Sequence, residues 1–326
     1  METPVNNNPD HKGGTHDPEE FHPGSVIETA AIQSGAEASS RTLLSDALRR
    51  LRRNKLALAA IAWLIMMIVL AVSADLWVPS VLGDPITVDT TKVVAESLNP
   101  PSLAHPFGRD DLGRDIMSRV IYGARISLAV GVIATAISVL LGLFMGALAA
   151  YYGGLWDSLV MRLTDVFLAF PYILFAIALM AVLGRGFLNI FIAIGLLGWP
   201  TIARVFRSSI LQVKENEYVD AARALGAGDL RIMTRHILPN AIAPIIVYAT
   251  MSIGGAILTE AALSFLGMGI LPPTPAWGLM LSEGRGYIYN APHLMIFPGL
   301  AILTTVLAFV LLGDGLRDAL DVKMKD

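Results

Sequence analysis

Cysteine is absent from the 326 residues, which rules out disulfides, thiolate metal ligands and a thiol nucleophile. Charge is scarce too. Asp, Glu, Lys and Arg make up 16% of the chain against 54% hydrophobic residues, and mean hydropathy is positive. Such a balance belongs to membrane proteins, not to soluble domains. Net charge is only −3, and beyond residue 55 no basic run is interleaved with aromatics, so nucleic acid is not an expected partner. There is no GxxxxGK[ST] phosphate loop, no HExxH pair and no GxSxG elbow. Enzyme chemistry is therefore not expected, and neither is a metal or cofactor held by this chain. The first long apolar run starts too late for a secretory signal peptide and is expected to remain as a membrane span.

Residues 1–40 are rich in Asn, Pro, Gly, Asp, Glu and Ser, which predicts a disordered tail. His11, His16 and His22 in that tail have no preformed site around them and read as solvated. Residues 41–55 predict an amphipathic helix on the membrane surface. Leu43, Leu44, Ala47, Leu48 and Leu51 line one face, while Arg49, Arg50, Arg52, Arg53 and Lys55 would meet anionic lipid.

Six apolar segments long enough to cross hydrocarbon follow, at 56–74, 126–150, 166–183, 188–206, 242–265 and 294–312. The expected fold is an all-α membrane protein with six transmembrane helices. The first helix is followed by a polar loop at 75–122, then a five-helix core at 123–312 and a charged tail at 313–326. Residues 151–162 read as a short connection. Gly142 and Gly146 are spaced for close helix packing. Pro171 predicts a kink in the third span. Asp165 and Glu260 fall near span ends, where water would reach them or a cation would pair with them.

Six spans place both termini on one side. Basic residues at 49–55 and 204–235 assign that side to the cytoplasm. Arg109, Arg114 and Arg119 in the 75–122 loop run counter to this, although Asp110, Asp111 and Asp115 accompany them.

A polar island at 217–240 interrupts the apolar spans. Tyr218, Ala221, Ala222 and Leu225 recur at helical spacing, with Glu217 and Asp220 at the start of the same turn. Gly226 supplies a positive φ to end that helix, and Asp229 is placed to cap the next. The second helix runs toward Leu238 and Pro239, where the missing proline N–H discourages continuation. Two short helices at a glycine elbow make a knob shaped to enter a groove on another protein.

With Ala221, Ala222, Gly226, Leu238 and Pro239 in register, the island resembles the EAA loop of ABC-importer permeases. Asp220 stands where that pattern has Glu, and His236 where it has Ile. The stretch His105-Pro106-Phe107-Gly108, then Asp110-Asp111-Leu112-Gly113-Arg114-Asp115, is similar to the C-type permease of peptide and nickel importers. Ala169-Phe170-Pro171, the run from Glu260 to Gly267 and the run from Gly313 to Asp318 continue the likeness, and Arg109 departs from its usual Thr.

The resemblance implies a type I ABC-importer permease in a prokaryotic plasma membrane, multi-pass, with both termini cytoplasmic. Its implied partners are a second homologous permease, two ATP-binding subunits that carry ATP and Mg, an extracytoplasmic solute-binding protein and membrane lipid. The knob, from Glu217 to Pro239, would couple to the ATPases. Trp277, Glu283, Arg285 and Tyr287, in the loop between the last two spans, would touch the binding protein. Peptides are the implied cargo; nickel or another small solute is the alternative, and an ion-coupled carrier or channel is the alternative of another class.

Overall fold

The computed structural model describes residues 48–88 and 93–320, without the Val94 side chain. The predicted tail 1–40, residues 41–47 of the predicted surface helix and residues 321–326 lie outside the described part. Helices are the only regular elements among the described residues. Five of them are long and apolar enough to cross a membrane, and a sixth span is made if one sharply bent pair is counted together.

Helix α1 (Lys55–Val81) starts at Asn54, whose Oδ1 accepts from the Leu56 and Ala57 amides at 3.1 Å each. It runs past the predicted end at residue 74 because Asp75, though exposed, is paired by residues further along the chain. The Arg125 guanidinium lies 2.9 Å from its carboxylate, and the Tyr122 hydroxyl donates to it at 2.8 Å.

A short helix, α2 (Val93–Glu96), leads to α3 (Ile116–Tyr152). The start of α3 lies well before the predicted 126, since Asp115 accepts from the Ser118 amide at 2.8 Å and caps it. The expected polar loop at 75–122 is thus helical at both ends. Its middle is a folded cap. The Asp110 carboxylate accepts from Arg114 Nε at 2.8 Å and Arg119 Nη1 at 2.6 Å, all three residues being buried. Arg119 Nη2 also pairs with Glu283 at 2.9 Å, and Arg109 pairs with Glu96. The arginines that ran counter to the charge rule are absorbed here as internal ion pairs.

The third span departs most from expectation. Residues 151–162 are no simple connection, because α4 (Gly154–Ala169) occupies most of them. Helix α5 (Tyr172–Leu183) then leaves at 91° to α4, so the predicted 166–183 helix is broken and not merely kinked. Pro171 cannot donate to the preceding turn, and Phe170 takes the extended backbone (φ −91°, ψ 140°) that a residue before proline prefers.

Helices α6 (Phe187–Lys214), α10 (Ala243–Phe265) and α12 (His293–Leu320) complete the bundle. The island between α6 and α10 holds α7 (Glu217–Ala224), α8 (Asp229–Ile232) and α9 (Leu238–Ala241). The predicted outer loop before α12 contains α11 (Trp277–Gly284). Much of the 313–326 segment, expected as a tail, continues α12.

The α3–α6 pair makes the most extensive helix contact, and small residues explain it. A Cβ on Gly142 would fall 2.6 Å from Ile202, and one on Gly146 2.7 Å from the Ala203 carbonyl oxygen. The two backbones are close enough that only glycine fits. Gly315 approaches Ala57 and Leu51, while Lys214 Nζ reaches the Tyr151 carbonyl at 3.4 Å. Those contacts put both ends of the described chain and the island at one end of the bundle. At the opposite end, His293 Nε2 lies 3.3 Å from the Arg109 carbonyl oxygen, bringing the 93–115 cap against α11 and α12.

Candidate functional site

Helix α7 ends in a Schellman motif. The Ala227 amide donates to the Ala222 carbonyl, and the Gly226 amide to the Arg223 carbonyl, both at 3.0 Å. Gly226 sits at φ +81°, with nothing within 4 Å of where a Cβ would stand. The predicted glycine elbow is present, and its demand is conformational, not steric. Asp229 is not the cap that was expected. Gly228 takes that position, and Asp229 is the first residue of α8, where its charge still favours the helix N-terminus.

Pro239 does not stop the helix. Residues Met233–Ile237 widen into a π turn, the Leu238 amide reaches back to the Met233 carbonyl, and Pro239 lies in the first turn of α9. The wider turn avoids the clash between the proline ring and the preceding turn. His236, at the position that departs from the EAA pattern, is partly buried, and its carbonyl accepts from Asn240 Nδ2 at 2.7 Å.

The knob has two faces. Val219, Ile232 and Ile237 are buried against Ile202, Phe206 and Ile210 of α6, Ala150 of α3 and Ile245 of α10. These three anchors were not among the candidates from sequence; their signal was large apolar residues inside an otherwise polar island. The other face is open. Tyr218 is 44% exposed, Leu225 89% and Leu230 78%. Glu217, Asp220, Ala221, Asp229 and Pro239 are exposed as well; Leu238 is marginally so, and Ala222 lies at the boundary. Asp220 pairs with Arg223 at 2.7 Å, one turn along. Exposed apolar side chains thus stand beside charged ones, held by anchors that pack on three long helices.

At the opposite end the outer-loop candidates separate. Trp277 is fully buried, and its Nε1 donates to the Val120 carbonyl at 2.9 Å. It is therefore neither a surface contact nor a membrane-interface anchor. The ring fills the core between α3 and α11, where Gly123 makes room for it. Glu283 is committed to Arg119. Arg285 is exposed and Tyr287 partly so, and the fully open aromatic is Tyr289 at 95% exposure.

Glu260 also corrects expectation: no water reaches it in the folded chain, where it is fully buried. Ser264 Oγ donates to it at 2.7 Å and Ser127 Oγ at 3.4 Å, and Ser264 Oγ also accepts from the Ile270 amide at 3.3 Å. The carboxyl ties the turn after α10 to α3. Asp165 does stay exposed and pairs with Arg204.

A model of the "Binding-protein-dependent transport system inner membrane component" family matches residues 138–326. A model of the "N-terminal TM domain of oligopeptide transport permease C" matches residues 42–101. The chain is 48% identical, over 87% of its length and 92% of theirs, to proteins named "Glutathione transport system permease protein GsiD" from Escherichia coli O6:K15:H31 and Shigella boydii serotype 4. Among solved structures, an inward-facing MetNI methionine ABC transporter matches with a TM-score of 0.52 and 20% identity, covering 63% of this chain and 97% of that one. An amino acid ABC transporter with histidines matches at 0.50 and 19%, covering 61% and 92%. At that identity the two structures speak for the fold alone.

Proposed function

The chain belongs to the family of binding-protein-dependent transport-system inner-membrane components, and from that premise we propose how this permease is driven and what it carries. It is a multi-pass membrane permease of the ABC-importer class, of the peptide type. ATP is hydrolysed by partner subunits, not by this chain. The knob of α7 to α9 is the element that docks on an ATPase subunit. A second permease completes the translocation path, and a solute-binding protein delivers cargo to the end that carries α11. The cargo is a short peptide, the chemical class to which the glutathione of its named relatives belongs.

One observation carries the docking assignment: Tyr218, Leu225 and Leu230 stand in the open while the knob is anchored by Val219, Ile232 and Ile237. A face that leaves large apolar side chains exposed beside charges is built to be covered by another protein. Its anchors pack on α3, α6 and α10, so movement of the ATPase would be passed to the bundle as a rigid-body motion. The test is affinity purification from membranes, with the bound subunits identified. Leu225→Asp combined with Leu230→Asp is expected to leave the permease inserted and strip the ATPase from it. An ATPase retained in full by that double variant would overturn the assignment.

A further inference from the structure

A cleft of about 480 Å³ opens between α3, α5, α6 and α10 and reaches Ile202, against which the knob anchors pack. Its polar lining is made of hydroxyls, prominently Tyr172, Thr201, Tyr248, Ser252 and Thr259, and among the described residues no Asp, Glu, Lys, Arg or His lines it. We propose that this cleft is a binding subsite on the transport path, reading short peptides through their uncharged amide groups. The proposal rests on the importer reading above and adds to it where the cargo is held and what is recognised.

Two features support a ligand. The break at Phe170–Pro171 borders the cleft, between the lining residues Leu168 and Tyr172. Phe167 packs on Trp199, near the middle of α6, which sets the break at mid-height of the bundle, with Phe170 itself 59% exposed. Irregular backbone at such depth is tolerated where it is buried or faces a wet cavity. Second, Gly255 lines the cleft, and a Cβ there would meet nothing within 4 Å. The space is open at a point where any side chain would intrude.

The chemistry selects the ligand class. A hydroxyl both donates and accepts, matching an amide that offers one N–H and one carbonyl. The Thr259 hydroxyl, which lines the cleft with Tyr172, donates to the Gly255 carbonyl at 2.9 Å. The cleft offers no countercharge to a lysine or glutamate side chain, whose burial there would be costly. Recognition therefore falls on the backbone that all short peptides share.

The test uses the whole complex in vesicles, with ATPases and binding protein, and labelled trialanine or its variants bearing one Lys or one Glu. The readout is peptide carried per ATP hydrolysed, which a simple assembly defect would not move. Gly255→Leu, which improves helix propensity and fills the cleft, is expected to lower it roughly three- to tenfold, the worth of one lost hydrogen bond. Leu258→Phe, on the exposed face of the same helix, serves as control and is expected to match the parent. Each peptide is compared with the parent complex, so the preference of the binding protein cancels. Equal losses for the three peptides support amide recognition. An unchanged ratio in Gly255→Leu, or losses that differ severalfold between the Lys and Glu peptides, would overturn the proposal. A parent complex that hydrolyses no ATP would overturn the importer reading instead.

Discussion

At φ +81°, Gly226 holds a backbone conformation that costs a β-branched residue about 1–3 kcal/mol. The surrounding space is empty, so a larger side chain meets no clash and the penalty is purely torsional. Gly226→Val is expected to distort the elbow between α7 and α8, leave membrane insertion intact and cut ATP-driven uptake at least severalfold. Gly226→Asn, which tolerates this conformation better, is expected to keep most of the uptake. Both are measured as uptake per inserted permease in vesicles, and parental uptake by the valine variant would refute the role of the elbow. Leu225, next to it, is set outward by that same turn, so its value lies in what it can cover and not in the fold.

Among elements, α11 shows how one short helix serves two surfaces. Its first turn is core: Trp277 is buried, and a Cβ on Gly278 would fall 2.5 Å from Ala261. Beyond it, Arg285 and Tyr289 face outward. Trp277→Ala is expected to cost about 3–5 kcal/mol, as large-to-small core changes do, and to lower the melting temperature of the purified complex. Tyr289→Ala is expected to leave that temperature unchanged while weakening stimulation of ATP hydrolysis by loaded binding protein. Full stimulation in Tyr289→Ala would remove the outer turn from the delivery surface. The α4–α5 break belongs to this scale as well. One proline converts a predicted span into two helices at 91°, and so opens a side of the bundle that a straight helix would close.

For the molecule as a whole, the contacts place the island and both described ends at one end, with the 93–115 cap and α11 at the other. The basic residues of 49–55 and 204–235 favour the island end as cytoplasmic. Because the chain has no cysteine, single thiols report topology cleanly. Tyr289→Cys is expected to react with an impermeant maleimide in spheroplasts, and Asp229→Cys only after the membrane is opened. The reverse pattern would invert the orientation.

Apolar runs were legible because hydrocarbon demands about 20 consecutive apolar residues, a demand written directly into composition. Gly226 and the Gly142–Gly146 pair were legible for a similar reason: a positive φ or a close backbone contact admits almost no other residue. Where a helix begins or ends was not legible, since Asp75 and Arg119 look like loop residues until Arg125, Asp110 and Glu283 arrive from elsewhere in the chain to neutralise them. The same holds for burial. Trp277 and Glu260 sit in segments that read as water-accessible, and only packing against α3 encloses them. Local pattern determined which segments are apolar and which turns need glycine, because those requirements act within a few residues. Tertiary structure decided which charges are paired, which face of the knob stays open and where the cleft lies, because each depends on groups brought together from distant parts of the chain.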